Sequence, residues 1–284
     1  MQTADGTKED FTFARLDELL LVPPQRFARA HELAFQRLHP RRLGPLIEYV
    51  FHRDTTLKHL PDPFTFPDGQ ITSAVLTRCR QNPADRSPSS TSLESRDVEL
   101  ATCATSEEEA ACPLWTAFWK RVDRAAESAG FSPKTAAGLS AAVQEVVDNV
   151  HLHSGRPETG LVGYRWCAGE FEFVVADAGI GILNSLRQCP EFDGLGDYGT
   201  ALKLALSGRS RFGTGSGHGQ GFRQVFVALT DLYGSLRFRS GDHALELDGN
   251  SPSLPVARLL QRRNYTGFII AVVCRPVFLK NSPS

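Results

Sequence analysis

The chain has 284 residues, 41% hydrophobic and 22% charged, a globular composition sufficient for one large domain or two ordinary ones. Lys and Arg number 31 against 32 Asp and Glu, so a net charge of −1 gives no electrostatic case for nucleic acid or an acidic membrane as the main partner. Six scattered cysteines without CxxC or zinc spacing, a polar start unlike a signal peptide, and no apolar run of roughly 20 residues predict a soluble, cytoplasmic protein with free thiols.

In chain order, PPQRFARAHELAFQRL predicts a helix from about Pro24. The basic cluster RLHPRRLG that follows reads as solvated surface, and LGPLIEYVFH predicts a second helix. Pro61, Pro63 and Pro67 then break regular structure. ITSAVLTRC fits either a strand or a short helix. Gln81 to Asp97 is rich in Ser, Pro and charge and reads as a linker or loop. The expected division is therefore a helical N-terminal region over 1–80, a linker over 81–96, a second domain over 97–277 and a tail over 278–284.

The second domain has stronger signals. Trp115, Phe118, Trp119, Val122 and Ala126 share one helical face, and Gly130 stops that helix. Ser132 is a good N-cap and Pro133 a good first residue for a helix running to about Leu152, with Gly155 beyond its end. GLVGYRWCAGEFEFVVADAG predicts two strands joined by a turn at Ala168-Gly169. DYGTALKLALSG is a helix stopped by Gly208, and GQGFRQVFVALTDLYG another. GSLRFRSGDHALELDG alternates like a hairpin of its own, and GFIIAVVCRP is a buried strand. Helices with an antiparallel, hairpin-connected sheet predict an α+β protein, a two-layer α/β sandwich preceded by a mostly helical region.

Three stretches carry chemistry. In VQEVVDNVHLHSG, Glu145, Asn149 and His153 recur every four residues and share one helix face, opposite Val143, Val146, Val147 and Val150. Taken alone, that stripe is more often a solvated face, although an Asn inside a helix is locally unfavourable. In VVADAGIGI, a strand runs into Asp177, and Gly179 and Gly181 follow. An Asp there can accept a hydrogen bond from an exocyclic amine, and glycines let backbone approach a flat ring. Alone it is a turn signal. GTGSGHGQGF places glycines ahead of an apolar helix, an anion-binding arrangement, but it is not a Walker loop.

In this order the three stretches resemble the GHKL superfamily of gyrase, the large heat-shock chaperones, histidine kinases and MutL proteins. EVVDN looks like its N box, DAGIGI like its first glycine box and GHGQGF like its second. His153 is closer to the histidine-kinase and anti-sigma-kinase form. The resemblance covers about Asp97 to Pro276 and implies a Bergerat ATP-binding fold. It implies that Asn149 coordinates Mg²⁺, that Asp177 holds the adenine amine and that Gly179 and Gly181 shape the adenine pocket. It further implies phosphate contacts from Gly217, Gly219 and Gly221 with His218 between them, a place for His153 on the phosphate side, Thr266 near the adenine, and Glu145 as the residue polarising a water or an acceptor hydroxyl. Residues 183–216 would form the lid, where Lys203, Arg209 and Arg211 are basic side chains within reach of a phosphate. The second box ends in Phe222, where Leu or Met is usual.

His31-Glu32-Leu33 superficially resembles a phosphoacceptor motif, but Gln36 stands where proline is expected and the broken region after it does not suit a second hairpin helix. His151, on another face from His153, reads as surface. The expected function is Mg-ATP binding and turnover, with phosphotransfer to a protein partner in trans. The alternatives are an ATP-driven switch or slow ATPase controlling homodimerisation or partner binding, and a nucleotide-sensing adaptor without catalysis. No nucleic acid or membrane partner is expected.

Overall fold

The turn at Ala168-Gly169 is the point from which the sheet is organised. Gly169 takes φ +79, which an L side chain rarely adopts, and the chain folds back there into two paired strands. A computed structural model describes residues 9–22, 38–58, 60, 75, 88, 97–207, 233–247 and 257–276. Their elements are β1 (Glu9–Asp10), α1 (Phe13–Leu21), β2 (Leu38–His39), α2 (Leu43–Thr55), β3 (Val98–Thr102), α3 (Glu107–Ala110), α4 (Pro113–Ser128), α5 (Pro133–His153), β4 (Leu161–Cys167), β5 (Glu170–Asp177), α6 (Gly181–Leu186), α7 (Tyr198–Leu206), β6 (Tyr233–Leu247) and β7 (Arg258–Arg275). The main sheet has the order β3-β4-β5-β7-β6 and every pair in it is antiparallel. The class is α+β, as expected.

Local signals explain the helices on one face. Pro133 opens α5 and the Ser132 hydroxyl accepts the Thr135 N–H at 3.2 Å. The helix ends one residue beyond the expected Leu152, and Gly155 follows at φ +66. Val143, Val146, Val147 and Val150 are buried, as the periodicity requires. On α4, Trp115, Phe118, Val122 and Ala126 are buried, and Trp119 packs partly buried beside them. These residues share a core with Phe171, Phe173 and Val175 of β5.

The alternate residues of β5 face a second core. Val174 and Ala176 pack with Leu16, Leu20, Leu46, Ile47 and Val50 from α1 and α2. The N-terminal segment therefore adds a third layer to the two expected ones. Its approach is close: a Cβ on Gly44 would lie 2.6 Å from the Phe13 ring and 2.8 Å from the Ala271 Cβ. Glu172 of β5 accepts the Gly44 N–H at 3.0 Å, serving the start of α2, where Arg42 supplies no side-chain cap. The predicted LGPLIEYVFH helix is α2. The helix expected from Pro24 (apart from Leu38, which is in β2), His31, the ITSAVLTRC segment apart from the buried Val75, the helix after Gly219 (apart from Tyr233 and Gly234, which are in β6) and the tail lie outside the described residues.

One expectation is corrected. GSLRFRSGDHALELDG is not a hairpin; it lies in the single strand β6, whose partner is β7. Gly241, at φ +58, marks a slip in register between Ser240 and His243, and the strand continues through it. A glycine in an alternating pattern signals a bulge as readily as a turn.

Below the sheet, β6 carries two buried arginines into the N-terminal layer. Glu48 of α2 accepts from Arg237 Nε at 2.9 Å and Nη2 at 3.0 Å, and from Arg239 Nη1. Asp17 of α1 receives Arg237 at 2.7 and 3.0 Å and Arg262 at 2.7 Å, and Glu246 receives Arg237 at 2.5 Å. Burial would raise the Glu48 carboxyl, but Arg237 and Arg239 outweigh it and hold it at about 2. His52, 3.8 Å from Glu48, is pushed down to about 3 by burial and by Arg239, and is neutral.

Removing one partner of a buried ion cluster strands the others. Glu48→Gln is therefore expected to lower the unfolding free energy by about 3–5 kcal/mol at pH 7, read from denaturant titration. Glu48 has its folded pKa below the ordinary 4.5. Its contribution is thus full above that value and is lost as the pH falls toward about 2, so the gap between wild type and variant closes in acid.

Candidate functional site

β5 ends in Asp177, and strand alternation puts its side chain on the α5 face, two residues beyond Val175. Asp177 pairs across the sheet with Phe268 of β7 and is completely buried. Oδ1 accepts the Gly179 N–H at 2.7 Å. Oδ2 is buried with no hydrogen-bond partner among the described residues. Burial raises the carboxyl to about 7, against the opposing pull of the Gly179 and Phe268 N–H groups.

The turn after Asp177 is held at successive amides. Ala178 N–H donates to Thr159 Oγ1 at 3.0 Å, Ile180 N–H to the Ser154 carbonyl at 2.8 Å, and Ile182 N–H to Ser240 Oγ at 3.0 Å. Ser240 Oγ in turn donates to the Gly267 carbonyl at 2.7 Å. Sterics explain the glycines. A Cβ on Gly179 would stand 2.1 Å from the Ser154 carbonyl oxygen, and one on Gly267 would stand 2.1 Å from the Asp177 carbonyl oxygen. Gly181 and Gly267 also take φ +77 and +85.

Ser154 is the C-cap of α5, so the bond from Ile180 brings the end of that helix to the Asp177 turn. Glu145, Asn149 and His153 are partly buried on this helix at the spacing expected. Asn149 Nδ2 donates one of its two hydrogens to the Glu145 carbonyl at 2.8 Å, which orients the amide. Thr266 is partly buried beside Gly267, at the slip in register between β7 and β6.

The structure thus gathers Asp177, Gly179, Gly181 and Thr266 at one end of the sheet, with the α5 terminus tied to them. Gly217, His218, Gly219 and Gly221 lie outside the described residues, as do Arg209 and Arg211. Lys203 is exposed in the last turn of α7, and His151 is partly buried. The sequence reading missed Ser154, Thr159 and Ser240. No local pattern marks them, because each acts on a segment distant in sequence. Among the described residues no three His, Cys, Asp or Glu side chains form a metal-binding group, and no helix is long and apolar enough to cross a membrane.

No protein-family model matches the chain, and searches of curated proteins and of solved structures found no similar protein. The chemistry of the site therefore rests on its own residues.

Asp177 makes a pH-dependent prediction. Its unfolded carboxyl ionises near 3.8 and its folded one near 7, so the folded state holds the extra proton between these values. Stability contributed by this group is present below about 4 and is lost as the pH rises to about 7, by on the order of 4 kcal/mol. Asp177→Asn keeps the Oδ1 acceptor and removes the titration. The variant is expected to be more stable than wild type at pH 8 and to lack that downward component in urea titrations between pH 4 and 8.

Proposed function

We propose that this chain binds Mg-ATP in a Bergerat-type site of the GHKL superfamily and passes a phosphoryl group to a protein partner in trans. The observation that carries this reading is Asp177. Asp177 is fully buried with Oδ2 lacking any partner among the described residues; Glu172 Oε2 shares that state, but Asp177 stands at the end of its strand beside the glycine turn. An exocyclic amine, such as the adenine amino group, supplies the donor that Oδ2 lacks.

The second support comes from α5. Its C-terminal half presents the negative end of the helix dipole, which favours a cation rather than an anion. Asn149 adds a hard amide oxygen there, with the amide orientation fixed by the Glu145 carbonyl. One neutral oxygen is too little for an all-protein magnesium cage, so the remaining ligands would be water and phosphate oxygens, as Mg²⁺ prefers. Bound there, Mg²⁺ would neutralise phosphate charge and orient the terminal phosphoryl group. Glu145, one turn before Asn149 on the same helix face, would accept the proton of an attacking hydroxyl in this reading. Gly217, Gly219 and Gly221 would give backbone amides to the phosphates.

Incubation of the purified chain with γ-labelled Mg-ATP, alone and with cell extract, tests this reading. Saturable binding is expected, weakened about tenfold or more in Asp177→Asn and Asn149→Ala, corresponding to about 1.4 kcal/mol or more. Glu145→Gln is expected to retain binding and lose about 10²–10⁴ in transfer rate. Label on a second protein supports the trans kinase. Free phosphate alone replaces it with a slow ATPase or switch, and binding without turnover with a nucleotide sensor. Absence of binding, with Asn149→Ala unchanged from wild type, overturns the assignment.

A further inference from the structure

We infer that Ser240 is the positioning residue of the Asp177 turn, linking it to the β7 bulge that backs Asp177. The inference rests on the reading of this turn as the nucleotide-binding turn. Ser240 is completely buried, and its hydroxyl accepts the Ile182 N–H at 3.0 Å while donating to the Gly267 carbonyl at 2.7 Å. Both the acceptor and the donor capacity of one small side chain are thereby used, with partners on two different segments.

Those two segments are the ones that enclose Asp177. Ile182 lies in the first turn of α6, directly after Gly179 and Gly181. Gly267 is the residue whose Cβ position is already occupied by the Asp177 backbone and Oδ1, at 2.1 and 2.5 Å. A shift of Gly267 therefore shifts Asp177, and a shift of Ile182 pulls the turn that fixes Asp177 Oδ1 through the Gly179 amide. Gly181 completes the constraint, because a Cβ there would lie 2.8 Å from Ser240 Oγ and 3.1 Å from the Gly267 carbonyl oxygen. The hydroxyl fills the space that the glycine leaves.

The slip in register gives Ser240 its place. β6 is regularly paired with β7 up to Ser240 opposite Phe268, and then jumps to Gly241 opposite Tyr265. Thr266 and Gly267 fall in that slip without a cross-strand partner on β6. The Ser240 side chain donates to the Gly267 carbonyl within that slip. Ser240 is thus a positioning residue, acting through the turn and the bulge rather than on a ligand itself.

Two measurements on the full chain separate this inference from the nucleotide reading. Amide hydrogen exchange without nucleotide is followed at Gly179, which bonds to Asp177 and makes no bond to Ser240. In Ser240→Ala, Gly179 exchange is expected to accelerate about tenfold or more, while amides of α4 stay within about twofold of wild type. Ser240→Thr, which keeps the hydroxyl on a strand that suits β-branched residues, is expected to restore wild-type protection. Binding of a fluorescent ATP analogue is expected to weaken about tenfold in Ser240→Ala and to recover in Ser240→Thr. Unchanged Gly179 exchange in Ser240→Ala overturns the inference, and so does equal acceleration throughout the sheet. If wild type binds no nucleotide, the nucleotide reading falls, and Gly179 exchange still decides the role of Ser240.

Discussion

Three backbone segments meet around Asp177 closer than side chains allow, and the upper face of the protein is arranged by that contact. The α5 terminus touches the turn at Gly179, and the β7 bulge touches the end of β5 at Gly267. At both places a Cβ would fall 2.1 Å from a carbonyl oxygen. The helix can then sit low over the sheet, with its valines in the core and its C-cap Ser154 against the Asp177 turn. Asp177 is enclosed as a consequence, since the segments that would otherwise leave room for water are in contact. A carboxylate in that enclosure either holds a proton near neutral pH or meets a donor from outside the fold.

The lower face is held by charge instead of close backbone approach. Three carboxylates, Asp17, Glu48 and Glu246, meet three guanidinium groups, Arg237, Arg239 and Arg262, where α1 and α2 cross the long strands. Arg237 also lies 4.6 Å from the Phe13 ring centre, so its guanidinium is packed as well as paired. Such a cluster gains little over an apolar core in stability, yet it tolerates few other arrangements. It thereby fixes how α2 lies on the sheet. Strand alternation then links the two faces: Arg237 and Arg239 point into the N-terminal layer, whereas Phe238 joins the α5-side core and Ser240 holds the Asp177 turn. Whatever disturbs the seating of α1 and α2 acts on the strand that carries Ser240.

Local signals explain how much of this was readable in the sequence. The start of α5 was legible because Ser132 and Pro133 satisfy the first amides by themselves, and the β4–β5 turn because Gly169 needs a positive φ. The Asp177 turn was legible as a motif, although the close contacts that require its glycines come from Ser154 at Gly179 and from Ser240 and Gly267 at Gly181 and appear only in three dimensions. β6 was misread for a physical reason. LRFRSGDHALEL alternates apolar with polar, a pattern expected of a strand with one wet face, and its glycine looked like the place to turn back. Both faces are buried instead, since the N-terminal layer neutralises the arginines. A pattern of residue types cannot show that a buried carboxylate lies some 190 positions earlier in the chain. The layer itself left little trace, because α1 is a nine-residue helix whose worth lies in what it covers.

Glu48 and Asp177 are buried to the same extent but differ in how their oxygens are served. Around Glu48 both oxygens are served, by Arg237 and by Arg239, and the carboxyl is held at about 2. Around Asp177, Oδ1 accepts the Gly179 amide, Oδ2 has no partner among the described residues, and burial raises the carboxyl to about 7. The fold serves both oxygens of Glu48, whereas Asp177 and Glu172 each keep one buried oxygen without a partner among the described residues. A donor supplied by a ligand that carries its own amine would complete Asp177 as the arginines complete Glu48, and would shift its proton equilibrium in the same direction.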